Sequence, residues 1–153
     1  MYAFYVSVHA RPPEASPGPS FEPADQQQGG SKPASYPTLV FPHASLATTM
    51  LGITFEEAAE ALGKLPRMYC EPDGSLVWVS PHGEPTWQVD GNLFDRGGQL
   101  LLVDLKGTCP PAALDQLLAA LGWPRVPLMF QLVREAVFLD EATFRSYAER
   151  AGS

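Results

Sequence analysis

Apolar residues recur at helical spacing in three stretches of the chain. The first, TFEEAAEALG, carries an inner stripe at Phe55, Ala58, Ala59 and Leu62. Thr54, followed three residues later by Glu57, is a capping-box signal for the start of that helix. The second, CPPAALDQLLAALGWP, opens with prolines suited to a first turn and repeats leucine at helical spacing. The third, DEATFRSYAERAG, begins with the capping residue Asp140. We therefore predict three helices.

Between the first two helices, three turn signals separate four stretches of strand character. Asp73-Gly74, His82-Gly83 and Arg96-Gly97-Gly98 divide the segments RMYCEP, SLVWVS, EPTWQVDGNLFD and QLLLVDLKG. Consecutive hairpins of this kind predict a four-stranded antiparallel meander.

The length of the last hairpin loop decides which side chains share a face of this meander. A two-residue loop at Gly97-Gly98 would pair Gly91 with Asp104. A three-residue loop instead pairs Asp90 with Asp104 and Gln88 with Lys106. We prefer the three-residue loop because it gathers the large apolar side chains on one face, and a slip by one residue would scatter them. The predicted inner face is Tyr69, Leu76, Trp78, Trp87, Val89, Leu93, Leu101, Val103 and Leu105.

The regions outside the meander complete the expected organisation. We predict a possible strand over residues 1–10, a flexible Pro/Gly/Gln-rich linker or loop over 11–37, and a single α+β domain over 38–153. The stretch VPLMFQLV fits a strand, with a buried helix from Pro127 as the competing interpretation, so residues 127–139 stay open between the two. The predicted fold class is α+β: an antiparallel four-stranded meander with helices packed on one face, plus a flexible proline-rich N-terminal segment.

Charge narrows the classes of function. The net charge is −7 over 153 residues, which argues against a dedicated nucleic-acid or anionic-membrane binder, because such proteins present basic surfaces. Apolar runs stay far below the roughly 18 residues needed to cross a bilayer. The two cysteines, Cys70 and Cys109, show no metal-binding spacing and suggest free thiols in a reducing compartment. We expect a cytoplasmic protein that does not act at a membrane.

The outer face of the predicted meander is half apolar, which is unusual for a surface that faces water. Its apolar members are Val77, Val79, Phe94, Leu100 and Leu102. Such a face on a small acidic protein often binds a partner protein or a second copy of the same chain. Our first hypothesis is therefore a protein-binding or accessory module that needs no cofactor.

Three charged residues on the same outer face suggest an alternative. Two directly opposed carboxylates repel each other unless a lysine or a divalent cation neutralises them, and oxygen ligands suit Mg²⁺ or Mn²⁺. Asp90 in WQVDG with Asp104 and Lys106 in VDLKG resembles the core of PD-(D/E)xK nucleases, and the order helix, meander, helix, strand agrees over residues 54–133.

That resemblance implies metal-dependent phosphodiester cleavage. Asp90 and Asp104 would be the metal ligands, and Lys106 would join them as the third catalytic residue. Glu57 or Glu60 could supply a further carboxylate, and Gln116 follows on the next helix. The simpler interpretation makes Asp104 and Lys106 outward residues that keep the sheet soluble, and Asp90-Gly91 a bulge in a long strand.

Overall fold

The computed structural model describes residues 1–26 and 34–153, and the described chain forms nine strands, four α-helices and one short 3-10 helix. The strands are β1 (Tyr2–Ala10), β2 (Ser16–Phe21), β3 (Tyr36–Val40), β4 (Met68–Cys70), β5 (Ser75–Val79), β6 (Gln88–Arg96), β7 (Gln99–Cys109), β8 (Leu128–Leu132) and β9 (Val137–Asp140). The helices are α1 (Ser45–Thr48), α2 (Phe55–Gly63), α3 (Pro111–Ala120) and α4 (Glu141–Ala151), and the 3-10 helix is Ala24–Gln26.

The described strands form one antiparallel sheet in the order β2-β3-β9-β8-β1-β7-β6-β5-β4. The predicted four-stranded sheet is therefore wrong. The meander β4–β7 exists, but it is only one side of a sheet more than twice as large. The sheet is larger because β1 joins the meander to the remaining strands. β1 pairs with β7 from Tyr2↔Cys109 to His9↔Leu102 and with β8 on its other edge. These partners are about a hundred residues away in the sequence, and local periodicity contains no signal for them.

The proline-rich segment is also different from the prediction. A flexible linker over 11–37 is wrong for the residues that the structure describes, because β2 and the start of β3 lie within it, while residues 27–33 fall outside the described ranges. β2 has the sequence SPGPSF and forms the edge of the sheet. Proline lacks an N–H and is tolerated at an edge, where it also discourages pairing with another chain. The prolines of β2 therefore lie in an edge strand and not in a flexible linker.

The helices α2, α3 and α4 pack on one face of the sheet and share one core with it. The centre of β1 contributes Val6 and Val8, both fully buried, and α3 contributes Leu114 and Leu117. The helix starts agree with the sequence signals: Thr54 and Glu57 form the capping box of α2, and the Asp140 side chain accepts from the Thr143 N–H at the start of α4. No helix in the described ranges is long and apolar enough to span a membrane.

Residues 127–139 form a hairpin of strands. β8 and β9 pair from Leu132↔Val137 to Met129↔Asp140. Ala136 takes the left-handed conformation in the turn, at φ 56°. Phe130 of β8 is fully buried and stacks on Phe144 of α4 with ring centroids 4.2 Å apart. The competing helix from Pro127 is therefore excluded.

The β6–β7 hairpin sets the register of the candidate residues, and neither predicted loop describes it completely. Arg96 pairs with Gln99 across a two-residue Gly97-Gly98 turn, and a bulge then shifts the pairing between Phe94 and Asp95. Leu100 is opposite Asp95, but Leu102 is opposite Phe94, so Leu101 is the extra residue. The bulge therefore lies at Leu101, and Asp90-Gly91 continues in register opposite Lys106 and Leu105.

Candidate functional site

The sheet face that turns away from α2, α3 and α4 carries the candidate residues, and we call it the open face. One row crosses five strands on this face. It runs Tyr69, Val77, Asp90, Lys106, Tyr5 from β4 to β1. A second row, one pleat along, runs Ser75, Asn92, Asp104, Ser7, Gln131 from β5 to β8. Directly paired residues point to the same side of a sheet, so each row is a line of neighbouring side chains.

Asp90, Asp104 and Lys106 share the open face, but their pairing differs from the prediction. Asp90 is opposite Lys106, and Asp104 is opposite Asn92. The predicted Asp90–Asp104 and Gln88–Lys106 pairs are therefore wrong. The two-residue turn and the one-residue bulge together move the register by two residues from the three-residue-loop prediction, which keeps the parity and so keeps the face. The two aspartates become diagonal neighbours, and diagonal positions on adjacent strands are about 7–8 Å apart.

Each of the three residues already has a contact within the sheet. The Ser7 hydroxyl donates to Asp104 Oδ1 at 2.5 Å. Gln88 Nε2 donates to Asp90 Oδ1 at 2.9 Å. Lys106 Nζ lies 5.2 Å from the centroid of the Tyr5 ring, a cation–π contact. The strand β1, which the meander hypothesis left out, supplies two of these three partners.

The side chains that a nuclease centre would add are on the other side of the sheet. Glu57 and Glu60 belong to α2, and Gln116 belongs to α3. Glu57 accepts from the Thr54 N–H in the capping box, and Glu60 is 4.0 Å from Lys64. Among the residues that the structure describes, no group of three or more His, Cys, Asp or Glu side chains is placed to hold a metal ion.

A buried polar cluster lies beside Asp104, where β1 passes between β7 and β8. Ser7 and His9 are 8% and 6% exposed. Burial lowers the pKa of His9, while the negative charge of Asp104 and a hydrogen bond with the Gln131 side chain oppose that shift. His9 Nε2 is buried and has no hydrogen-bond partner among the described residues. The Ser7 hydroxyl points to a carboxylate and both side chains are covered, so the cluster is suited to holding the strands together.

Sequence reasoning missed the contribution of β1 to the open face. YAFYVSVHA alternates, with Tyr2, Phe4, Val6 and Val8 in the core and Tyr5, Ser7 and His9 on the opposite side. That period of two was a usable signal for a half-covered strand. That pattern does not indicate which strands β1 pairs with. Arg134, in the turn after β8, was missed because its position beside β1 depends on that pairing.

The predicted apolar surface residues divide into two groups. Phe94 and Val77 are 41% and 38% exposed, and Leu102 and Val79 are half-buried. Leu100 is fully buried because the bulge turns it toward the helices, so it does not belong to the exposed surface. Conversely, Tyr69, which we predicted to be inside, is 60% exposed on the open face, and Met68 points inward in its place.

An acidic cleft of about 770 Å³ opens beside Phe94, between the start of α2 and two hairpin turns. Its apolar wall includes Phe55, Leu93 and Pro72, and its carboxylates are Glu56, Asp73 and Asp95. Hydrogen bonds from Ser75 lower the pKa of Asp73, and Asp95 accepts from the Gly98 N–H. No basic side chain among the described residues lines the cleft. It is therefore a negatively charged recess with an aromatic rim.

The known proteins offer no guide to this geometry. No family model, curated protein or solved structure matches the chain. Function therefore has to be argued from the open face and the cleft themselves.

Proposed function

We propose that this protein is a binding module that docks a basic partner protein on the Phe94 side of its open face. One observation carries the proposal. Six large apolar side chains are exposed in the described ranges, and four of them, Tyr5, Tyr69, Val77 and Phe94, lie on this one face. Scattered exposed apolar residues are ordinary, whereas their concentration on one uncovered sheet face is typical of an interaction surface.

Charge supports a basic partner over a second copy of the chain. Each molecule carries a net charge of −7, so two copies repel each other over long range. Within the described ranges, the lining of the acidic cleft beside Phe94 includes no basic residue that would pair with a carboxylate of a second copy. A partner that brings lysine or arginine gains attraction at the cleft, and this favours fast association at low ionic strength.

Phe94 is the expected anchor of this surface. It lines the cleft and is opposite Leu102 on the open face, so it joins the apolar and acidic parts of the site. Buried aromatic anchors usually dominate interface energetics, and truncation of one costs at least about 2 kcal/mol of binding free energy. Tyr69 and Val77, which are cross-strand neighbours, form a second apolar contact toward the β4 edge, separated from Phe94 by the polar pair Ser75 and Asn92.

Selection from a random peptide library displayed on phage tests the proposal without a known partner. The immobilised wild-type protein should enrich peptides that combine apolar residues with lysine or arginine. Phe94→Asp should lose this enrichment, whereas Val40→Asp should keep it. Val40 is 45% exposed but lies on β3, at the other side of the sheet, which makes it a matched apolar control. Circular dichroism and urea unfolding establish that each variant is folded.

Enrichment of acidic peptides, or equal enrichment by the wild type and Phe94→Asp, would refute the proposal. Concentration-dependent dimerisation in sedimentation equilibrium would show that a second copy occupies the face instead. The nuclease alternative predicts the opposite order of sensitivity: Asp104→Asn would abolish function, while Phe94→Asp and Leu102→Asp would have secondary effects. On the binding proposal, Asp104→Asn has little effect on peptide selection, because Asp104 is engaged with Ser7.

A further inference from the structure

Two basic side chains converge on one aromatic ring at the end of the open face far from the acidic cleft. Lys106 reaches Tyr5 from β7, with its Nζ 5.2 Å from the ring centroid. Arg134 approaches from the turn after β8, on the other side of β1, with its Cζ 6.0 Å from the same centroid. Both distances are within the range of cation–π contacts. Both positive charges therefore contact the same ring.

Neither cation forms a direct ion pair within the described part of the chain, since no N–O contact of 4.0 Å or less there includes Lys106 or Arg134. Asp90 is the cross-strand neighbour of Lys106, yet it accepts from Gln88. Such convergence is unexpected in a protein with 17 acidic and 10 basic residues, where carboxylates are plentiful. Two cations that line one cleft without an ion-pair partner attract an anion to it.

A cleft of about 320 Å³ lies beside these groups. Lys106, Arg134 and Tyr5 all line it, together with Gly107 and Thr108 of β7. Its remaining lining is apolar except for Glu135, Tyr147 and the backbone, and Glu135 forms no ion pair with either cation. The volume is at the lower end for ligand sites, which suits a small ligand.

From this geometry we infer an oxyanion-binding site formed by Lys106, Arg134 and Tyr5, for a small carboxylate or phosphoryl group. A guanidinium offers parallel N–H donors that match two oxygens of either group, and the lysine adds a point charge. The acidic character of the rest of the molecule restricts the ligand to a small anion, because an extended polyanion would meet repulsion outside the cleft. The site does not depend on the proposed protein partner.

Titration with inorganic phosphate, and separately with acetate, tests the site by ¹⁵N NMR at constant ionic strength. We expect saturable shifts of the amide signals of Tyr5, Gly107 and Thr108. Arg134→Gln and Lys106→Gln should each weaken binding about tenfold or more, because a hydrogen bond to a charged group contributes about 1.5–3 kcal/mol. Arg125→Gln is the matched control, since Arg125 is exposed, outside the cleft and equally charged.

The two anions distinguish the chemical class of the ligand. Tighter binding of phosphate assigns the site to phosphoryl groups, and equal or tighter binding of acetate assigns it to carboxylates. The absence of saturable shifts with both anions would overturn the inference, as would equal weakening by Arg125→Gln. Phe94→Asp should leave both titrations unchanged, so failure of the partner-binding proposal and failure of this site are separate results.

Discussion

Replacing Leu100 by alanine tests the register that positions the open face. Leu100 and Leu102 are two residues apart on β7, and in a regular strand they would share a face. The bulge separates them, because Leu100 is opposite Asp95 and Leu102 is opposite Phe94, the next residue along β6. Leu100 is fully buried, whereas Leu102 is half-buried. The two substitutions remove the same atoms from opposite sides of the sheet.

The expected costs differ severalfold. Leu→Ala at a fully buried site costs about 2–5 kcal/mol of unfolding free energy, because it removes apolar contact and leaves a cavity. For Leu102→Ala we expect about 1 kcal/mol or less, since part of that side chain is already in water. In a chain of this size each kcal/mol lowers the melting temperature by about 2–4 °C. Leu100→Ala should therefore melt about 4–20 °C below the wild type.

Urea unfolding followed by tryptophan fluorescence measures both variants on one scale. The slope of the unfolding free energy against urea concentration should not change, which shows that the midpoint shift reports stability. Equal destabilisation by the two substitutions, or a larger loss from Leu102→Ala, would refute the bulge. The assignment of Leu102 to the open face would then be wrong as well, and Leu102 would no longer belong to the surface proposed to bind the partner.

Three further predictions follow from the environments of single residues. Burial lowers the pKa of His9, so the unfolded chain binds more protons than the folded chain below the ordinary pKa of 6.5. The free energy of unfolding should therefore fall as the pH decreases from about 7.5 to 5.5, and His9→Gln should reduce that fall in urea titrations. Burial raises the pKa of Cys109 to about 12 and also raises the pKa of Cys70, so a thiol reagent at about pH 8 should label half-buried Cys70 slowly and buried Cys109 only after unfolding. Millimolar Mg²⁺ or Mn²⁺ should not raise the melting temperature, because Asp104 already accepts from Ser7; a rise in the wild type that Asp104→Asn abolishes would establish a carboxylate metal site and support the nuclease alternative.

Local patterns were sufficient for the elements and insufficient for their assembly. The capping box at Thr54, the leucine stripe of α3 and the Asp73-Gly74 turn each involve residues within a few positions of each other, and each is present in the structure. The sheet order depends on β1 joining β7 and β8, and that choice is made by contacts across the chain. The prolines of β2 were misread because composition indicates disorder, whereas an edge strand accepts prolines where its N–H groups would have no partner.

The candidate site shows why parity is easier to predict than register. Gathering the large apolar side chains on one face required only that Asp90, Asp104 and Lys106 share the other face, and the structure places all three there. A shift of two residues preserves that pattern, so the alternation of apolar and polar residues does not distinguish the two registers. Chemistry is sensitive to the shift, however. The observed register places Asp90 opposite Lys106 and Asp104 beside Ser7. Lys106 and Arg134 then both contact the Tyr5 ring. A site hypothesis drawn from strand alternation therefore needs the partner strands on both edges before charges can be assigned to roles.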